Sequence, residues 1–444
     1  MIIKSGKDNE MDKLFVYIEH GGTFVKAGEL TREDGRVTYR YLPEFLEWED
    51  RFPISVNLPL SDKSFDENKT AIFFGGLLPE GFTRKSVAGN IRVDENDYFS
   101  ILKALGCECL GAICIVDSED NIPNPEYVKI QNGEIASLAS EGASEAASVM
   151  VKTHVSLTGA SGKVGLYYND KSGDWYLPNG TAPSTHIVKQ SHVRLKRIVV
   201  NEQLSLLTAK KLGIDVPESF IINLGSGDDS EILYATKRYD RVIPSDYRVL
   251  GESGVYTPRI INGQEAPYRL HQEDFAMAMG IQSKDKYEIR GEEYLLHAFD
   301  LVRNYAAQPI KDTTKLWDYY LFHYFIGNTD CHIKNLSFLY SGNFKQRKLA
   351  PLYDTISTVI YESSTREMSV SIDGKYNIDE INRVSFKNMA AKLHLGQKWA
   401  MEAYDNMADN FENAIKEASY ELKEQGLNDA NEMKDKILTE RKIW

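Results

Sequence analysis

The chain has 444 residues, of which 42% are hydrophobic and 26% are charged, and this composition excludes a mostly disordered protein. We predict a multidomain globule with two or three hydrophobic cores. The net charge of -13 argues against a nucleic-acid surface spread over the whole protein, although a local basic patch is compatible with it, so DNA contact is expected through a partner.

Residues 1–12 are polar and lack the apolar core of a signal peptide, so we interpret them as a disordered leader. The next stretch predicts a small β-rich domain, because short alternating apolar runs are separated by glycine and acidic turns. The predicted elements are strands at 14–18, 36–41, 54–58 and 111–116, a helix at 97–105, a polar connector at 117–128 and a surface helix at 135–148. We place this domain at 13–148.

A second domain is predicted at 149–242 as a small antiparallel sheet with one helix. The helix covers 201–212 and is stopped by Gly213. The predicted strands are 155–157, 164–168, 185–189, 219–224 and 233–236, with a glycine-containing loop at 158–163. From 243 to 444 the apolar spacing is mostly helical, broken by a hairpin of two strands at 336–340 and 349–352, which predicts a mainly helical third domain.

The most specific motif is Asp330-Cys331-His332-Ile333-Lys334-Asn335, which Asp354 follows after the predicted hairpin. In phosphoryl transfer an Asp orients the substrate hydroxyl and accepts its proton, while an Asn on the same loop and a later Asp hold Mg²⁺. The D-x-x-x-x-N spacing and the later Asp match this division of labour. The flanks differ from those of an ordinary eukaryotic kinase, since Asn328-Thr329 replaces His-Arg and Thr355-Ile356 replaces Phe-Gly. An isolated Asp-to-Asn pair would usually be an Asx turn.

The second domain supplies the parts that a kinase needs around the phosphates of ATP. Lys189 ends a predicted strand and is the candidate phosphate-binding Lys, with Glu202 as its candidate ion-pair partner, although Glu202 would also suit an exposed first helical turn. The segment 159–163 is not a Walker A motif, because only two residues separate its glycines and Val164 stands where Ser or Thr would bind Mg²⁺. Alone, this loop is also compatible with a tight hairpin turn.

Two further groups of residues have open interpretations. His332 either contacts phosphate or nucleotide, or braces its loop through a backbone hydrogen bond. The four cysteines do not form a disulfide framework, and Cys107-Glu108-Cys109 lacks the second ligand pair of a zinc site, so we interpret them as reduced thiols. With no run of about 18 apolar residues, the protein is predicted to be cytoplasmic without a membrane span.

The order of these elements predicts an α+β, two-lobed protein-kinase-like fold: a small antiparallel-sheet lobe and a mainly helical lobe, with an additional N-terminal β-rich domain. Four motifs resemble the HipA family of bacterial serine/threonine kinases, the toxins of HipBA-type toxin–antitoxin modules. They lie at 184–189, 237–241, 326–335 and 350–357. Residues 73–80 and 106–112 are similar to the family's N-terminal domain, so the resemblance covers nearly the whole chain.

The resemblance implies roles for matching residues. It makes Asp330 the catalytic base, Asn335 and Asp354 the Mg²⁺ ligands and Lys189 the phosphate-contacting lysine. It implies a nucleotide loop of Thr158, Gly159, Ala160, Ser161, Gly162 and Lys163, a hinge of Lys237, Arg238 and Tyr239 that contacts adenine through its backbone, and further nucleotide contacts from His332 and Tyr353. Ser156 matches a serine whose autophosphorylation ejects the loop and silences the kinase. The chain departs from its relatives in Ser161-Gly162, where they carry Gln-Glu, and in Lys237, where they carry Glu.

The same resemblance implies an ATP- and Mg²⁺-dependent kinase that phosphorylates a translation-related protein such as an aminoacyl-tRNA synthetase. A helix-turn-helix antitoxin would neutralise it, and DNA would be bound only through that partner. The alternatives are a catalytically silent co-repressor module acting with a DNA-binding partner and a kinase of small molecules. The intact set of Lys189, Asp330, Asn335 and Asp354 favours the protein kinase, because a silent module would be expected to lose at least one of them.

Overall fold

A computed structural model describes the protein at residues 12–119, 122–141, 162–191, 195–244 and 257–441. The N-terminal part contains an antiparallel sheet of β1 (Asp12–His20), β2 (Thr23–Glu33), β3 (Arg36–Tyr41) and β4 (Ile113–Val116), in the order β3-β2-β1-β4. Gly21 and Gly22 join β1 to β2 with φ angles of 57° and 84°. Positive φ at both central residues is what a two-residue type I′ hairpin requires, which is why glycine stands there.

Four helices lie between β3 and β4: α1 (Pro43–Glu47), α2 (Glu67–Gly76), α3 (Gly81–Ile91) and α4 (Tyr98–Leu105). Asp66 and Asp97 cap α2 and α4, because their side chains accept hydrogen bonds from the N–H groups of Lys69 and Ser100. Most buried apolar side chains of this part belong to one hydrophobic cluster that continues into the C-terminal helices, and Tyr17, Cys107, Cys114 and Val116 form a second, small one. The N-terminal domain is therefore packed directly against the rest of the chain.

A six-stranded antiparallel sheet forms the second unit, with the order β5-β7-β6-β8-β10-β9. Its strands are β5 (Glu126–Lys129), β6 (Lys163–Asn169), β7 (Asp174–Asn179), β8 (His186–Gln190), β9 (Ser219–Asn223) and β10 (Ile232–Lys237), and its helices are α5 (Asn132–Glu141) and α6 (Ile198–Lys211). β5 lies inside the stretch predicted as the N-terminal domain, yet it pairs with β7. The change from the first sheet to the second thus falls between β4 and β5.

The C-terminal part combines short strands with six helices in the described residues. Its strand pairs are β11 (Arg241–Val242) with β14 (Tyr268–Arg269), β12 (Arg259–Ile261) with β13 (Gln264–Ala266), and β18 (Glu367–Ile372) with β19 (Lys375–Asn377). A three-stranded sheet contains β15 (Gln272–Asp274), β16 (Ser337–Tyr340) and β17 (Arg347–Leu349). The helices are α7 (Phe275–Met279), α8 (Tyr294–Tyr305), α9 (Pro309–Ile326), α10 (Arg383–Lys392), α11 (Gln397–Glu424) and α12 (Asp429–Glu440).

Some predicted elements were wrong. Residues 54–58 form only an isolated bridge between Ser55 and Leu58, because the Tyr41 hydroxyl bonds the backbone of Ile54 and Leu58 where a neighbouring strand would otherwise pair. The strand predicted at 349–352 ends at Leu349. The region after Arg241 contains nine described strands in addition to its helices, whereas one hairpin was predicted. The predicted strand at 155–157 and the second half of the helix at 135–148 lie outside the described residues.

Among the residues that the structure describes, no helix is both long and apolar enough to cross a membrane. All four cysteines are buried free thiols, as predicted.

Candidate active site

The loop that carries Asp330 is stabilised by hydrogen bonds between its own residues. It begins where α9 ends at Gly327, whose φ of 75° suits glycine, and it leads through a 3₁₀ turn at Ile333–Asn335 into β16. The side-chain amide of Asn335 donates to the Asp330 carbonyl oxygen at 3.0 Å, and the Asn335 N–H donates to the His332 carbonyl oxygen at 2.8 Å. The D-x-x-x-x-N spacing therefore places Asp330 and Asn335 at the two ends of one tight loop.

Asn328 and Thr329, which replace the usual kinase flank, hold this loop in place. The Asn328 side chain accepts the Asp330 N–H at 2.9 Å. The Thr329 N–H donates to the Thr358 hydroxyl at 2.8 Å, and the Thr329 carbonyl accepts from the Ser369 N–H at 2.9 Å. Thr358 lies four residues after Asp354, so the segment that carries Asp354 is tied to the start of the Asp330 loop.

A triad of charged side chains joins the two lobes, with Lys189 and Glu202 buried and Asp354 partly exposed. The Lys189 ammonium lies 2.7 Å from a Glu202 oxygen on α6 and 2.7 Å from a carboxylate oxygen of Asp354. Burial opposes the charge of Lys189, but Asp354 and Glu202 outweigh it and raise the pKa of Lys189. Burial likewise opposes the charge of Asp354, yet Lys189 and Lys163 lower its pKa well below the usual range. Burial raises the pKa of Glu202, while Lys189 acts in the opposite direction. The predicted contact of Lys189 with Glu202 is present.

The backbone at Asp354 is unusual, because its φ of 52° lies in the left-handed region. Asp tolerates this conformation better than most residues, and such outliers concentrate at functional sites. The segment is fixed by Asn201, whose side chain accepts the Ser357 N–H at 2.9 Å and donates to the Ser357 carbonyl at 2.8 Å. α6 therefore presents Glu202 to Lys189 and, through the preceding residue, also anchors the segment with Asp354.

Lys163 is a second lysine of the site. It lies directly opposite Lys189 on the neighbouring strand, so both side chains project from the same face of the sheet. Burial lowers the pKa of Lys163 to about 8, while Asp354 acts in the opposite direction. Of the predicted nucleotide loop, Gly162 and Lys163 are described, and Thr158, Gly159, Ala160, Ser161 and the candidate modification site Ser156 lie outside the described residues.

His332 is buried and Tyr353 is partly buried near the same loop. The Nδ1 atom of His332 is buried and has no hydrogen-bond partner among the described residues. Burial lowers the pKa of His332 to about 3, so the ring is neutral at pH 7. Both interpretations of His332 are compatible with the geometry, since its carbonyl braces the loop while its ring nitrogen is open to a ligand. The Tyr353 hydroxyl bonds Ser337, and its ring lies 5.5 Å from the Tyr239 ring.

The hinge residues are held by protein contacts. The N–H groups of Lys237 and Arg238 donate to the carbonyls of Glu218 and Thr185, both at 2.8 Å. The Arg238 side chain is 2% exposed and donates to Glu108 at 3.0 Å and to Asp240 at 2.9 Å. The Arg238 side chain is therefore directed towards Glu108 and Asp240, and the predicted hinge role stays a prediction for the backbone.

The donor set around Asp354 suits Mg²⁺ better than a transition metal. No cluster of three or more His, Cys, Asp or Glu side chains able to hold a metal occurs in the part of the chain that the structure describes. Mg²⁺ commonly takes one or two protein oxygens and completes its shell with water and substrate phosphates. Asn335 and Asp354 are an amide and an ionised carboxylate of this kind, and the open His332 nitrogen and two lysines fit a nucleotide beside them.

Residues that sequence reasoning missed connect the N-terminal domain to this site. Lys334, beside Asn335, lies 3.2 Å from Glu80 and 3.0 Å from Asp274. Glu80 precedes α3, and its second oxygen lies 2.9 Å from the Lys286 ammonium. Tyr287, the next residue, donates its hydroxyl to an Asp330 oxygen at 2.9 Å. The motif at 73–80 indicated an N-terminal domain, but no local spacing could show that it reaches the Asp330 loop.

Two family models match the chain. The model of the HipA-like C-terminal domain matches residues 155–415, and the model of the HipA N-terminal domain matches residues 22–116. The first covers more than half of the chain and contains Lys189, Glu202, Asp330, Asn335 and Asp354.

Similar proteins cover most of the sequence. The chain is 28% identical to Y4mE, a candidate kinase of Sinorhizobium fredii, over 404 residues. This alignment covers 88% of each protein. It is 25% identical over 348 residues to the serine/threonine-protein kinase toxin HipA of Shewanella oneidensis, covering 76% of this chain and 74% of that protein.

A solved structure of a complex of HipA, HipB and operator DNA from Shewanella oneidensis shares the fold. It matches with a TM-score of 0.74 and 23% sequence identity over 97% of this chain and 96% of the other. The predicted α+β, two-lobed fold with an N-terminal β-rich domain is thereby confirmed.

Proposed function

The chain belongs to the HipA family, and from this premise we propose that it is an ATP- and Mg²⁺-dependent serine/threonine protein kinase. The observation that carries the proposal is the Lys189 ammonium at 2.7 Å from both Glu202 and Asp354, beside the closed loop of Asp330 and Asn335. A lysine paired with a helix glutamate, a base and two metal ligands are the parts that phosphoryl transfer needs. All of them are present in this chain.

Each residue has a definite task under this proposal. Lys189 and Lys163 neutralise phosphate oxygens, and Glu202 keeps Lys189 oriented. Asn335 and Asp354 hold Mg²⁺, which supplies charge neutralisation at the transferring phosphoryl group. Asp330 orients the substrate hydroxyl and accepts its proton, while Tyr239, Tyr353 and His332 line the nucleotide position. The protein substrate is proposed to be a component of translation, such as an aminoacyl-tRNA synthetase.

The test of this function is transfer from labelled ATP. Purified protein is incubated with Mg²⁺ and γ-labelled ATP, alone and with a cell extract, and mass spectrometry locates labelled serine or threonine residues. The Asp330→Asn variant is the matched control, because it changes one atom of the proposed base. The catalytically silent co-repressor is favoured instead if wild type labels neither itself nor any extract protein above this control.

A partner is expected from the charge of the chain. With a net charge of -13, the isolated chain should bind duplex DNA weakly, because clustered Lys and Arg are needed for phosphate contacts. The Shewanella relative was solved with HipB and its operator DNA. We expect an adjacent gene to encode a helix-turn-helix protein, and gel-shift titrations should show tight operator binding only with that protein present. Tight, salt-sensitive DNA binding by the chain alone would contradict this.

Self-inactivation through the nucleotide loop is expected under the same function. A phosphate on Ser156 would bring about two negative charges close to a site that already holds Asp330 and Asp354. The loop, which ends at the buried Lys163, should then favour a conformation that no longer contacts the nucleotide, because one covalent change can move a two-state element. Mass spectra after MgATP incubation should show phosphate at Ser156, with Thr158 and Ser161 as alternative acceptors. Wild type that phosphorylates another protein while all three stay unmodified would refute this.

A further inference from the structure

The proposed base Asp330 is contacted by a phenol that no motif had indicated. The Tyr287 hydroxyl donates to one Asp330 carboxylate oxygen at 2.9 Å, although the Tyr287 side chain is 49% exposed. We infer that Tyr287 is a positioning residue, which holds the Asp330 carboxylate in the orientation that receives the substrate hydroxyl. This inference rests on the proposed kinase function and names a residue that acts through its base.

The residues on both sides of Tyr287 are anchored. The Lys286 ammonium lies 2.9 Å from Glu80 of the N-terminal domain. Glu288 is buried, and its N–H donates to the Ser369 carbonyl at 2.8 Å. The Glu288 carboxylate accepts hydrogen bonds from the N–H of Tyr294, the N–H and hydroxyl of Ser371 and the hydroxyl of Tyr376. A half-exposed tyrosine between two anchored residues has a fixed backbone, so its hydroxyl is directed to Asp330 by the fold.

The Tyr287 ring is also placed by contacts that do not need its hydroxyl. It makes a T-shaped contact with the His332 ring, with the two ring centroids 5.3 Å apart and an interplanar angle of 83°. The Lys286 ammonium lies 5.4 Å from the Tyr287 ring centroid. Phenylalanine at this position would keep both contacts, and it would remove only the hydrogen bond to Asp330.

The hydrogen bond from Tyr287 gives the two carboxylate oxygens of Asp330 different roles. One oxygen is held by Tyr287, and the other receives no hydrogen bond from the described residues. A carboxylate fixed through one oxygen can present the second to a substrate hydroxyl without first losing rotational freedom. Tyr287 thus holds one carboxylate oxygen of Asp330 and leaves the other for the substrate hydroxyl.

The test is Tyr287→Phe, with Tyr420→Phe on the exposed face of α11 as the matched control. Because one hydrogen bond to a charged group is lost, kcat for protein phosphorylation should fall about tenfold, with KM for ATP unchanged. Tyr420→Phe should match wild type. An unchanged kcat in Tyr287→Phe, or a loss explained by a higher KM for ATP, would overturn the inference.

A second measurement separates this inference from the kinase proposal. The Asp330 carboxyl signal can be observed by NMR at one fixed pH in protein labelled with ¹³C-aspartate, and it is assigned by its absence from Asp330→Asn. The inference requires a changed Asp330 chemical shift in Tyr287→Phe and an unchanged one in Tyr420→Phe, whether or not phosphate is transferred. An unchanged shift in Tyr287→Phe overturns it, whereas failure of wild type to transfer phosphate refutes only the kinase.

Discussion

Replacing Asp354 with asparagine should abolish phosphoryl transfer and weaken the binding of MgATP, while the protein stays folded. The variant loses one of two proposed metal ligands, and charge stabilisation by a bound metal is worth several kcal/mol, so we expect transfer to fall by more than about a thousandfold. Lys189 keeps its 2.7 Å contact with Glu202, so the fold should be retained. Calorimetric titration with MgATP and a γ-label transfer assay measure the two effects.

Two comparison variants make this result specific. Asp330→Asn should also lose transfer, by about 10² to 10⁴-fold as expected for a base, but it should bind MgATP like wild type. Asp405→Asn makes the same chemical change at an exposed ion pair with Arg383, and it should change neither property. Substantial turnover by Asp354→Asn would remove its assignment as a metal ligand.

The proximity of the candidate site residues could be predicted because they lie in short, locally spaced segments. Asp330 and Asn335 share one loop, and the hairpin of β16 and β17 brings Asp354 back to it. Lys189 and Glu202 lie on consecutive elements of one lobe, so their ion pair needs only the antiparallel sheet and α6 to form. Spacing within a few elements was enough to predict these contacts.

Contacts between distant parts of the chain could not be predicted in this way. Tyr287 forms a hydrogen bond with Asp330, which is 43 residues away in the sequence, and Lys334 forms an ion pair with Glu80 of the N-terminal domain. Arg238 was predicted as part of a hinge that contacts adenine through its backbone, and the partners of its side chain, Glu108 and Asp240, were not predicted. A buried arginine and a ligand-facing arginine have the same sequence signature, and only the fold distinguishes them. The strands of two or three residues after Arg241 are likewise too short to give a periodic signal.

Glu108 is the centre of a buried network that fastens the N-terminal domain to the hinge. Its side chain is fully buried and accepts hydrogen bonds from Arg238 at 3.0 Å, Arg241 at 2.6 Å and Arg269 at 3.2 Å. Glu19 and Asp240 pair with the same arginines, so three buried carboxylates match the three buried guanidinium groups. The partly exposed Arg259 adds a fourth guanidinium group at 3.3 Å from Glu19. Each buried charge in the network therefore depends on the others.

Replacing Glu108 with alanine should destabilise the protein by about 3 to 5 kcal/mol, because it leaves a buried positive charge without compensation. Thermal and denaturant unfolding measure the loss. Glu412→Ala is the matched control, since it removes a carboxylate from the exposed ion pair with Lys416 on α11, and it should cost less than about 1 kcal/mol. Equal effects of the two variants would contradict a stabilising role for the network.

The pH dependence of Glu108→Gln tests the charge itself. Burial opposes ionisation of Glu108, but Arg241, Arg238 and Arg269 lower its pKa from 4.5 to about 2. A carboxylate with a lowered pKa in the folded state stabilises the protein above its unfolded pKa and loses this contribution as the pH falls towards the folded value. The stability difference between wild type and Glu108→Gln should therefore be largest at neutral pH and narrow as the pH falls below about 4. If this stability difference is constant over the same pH range, the shape of the Glu108 side chain, and not its charge, determines its contribution to stability.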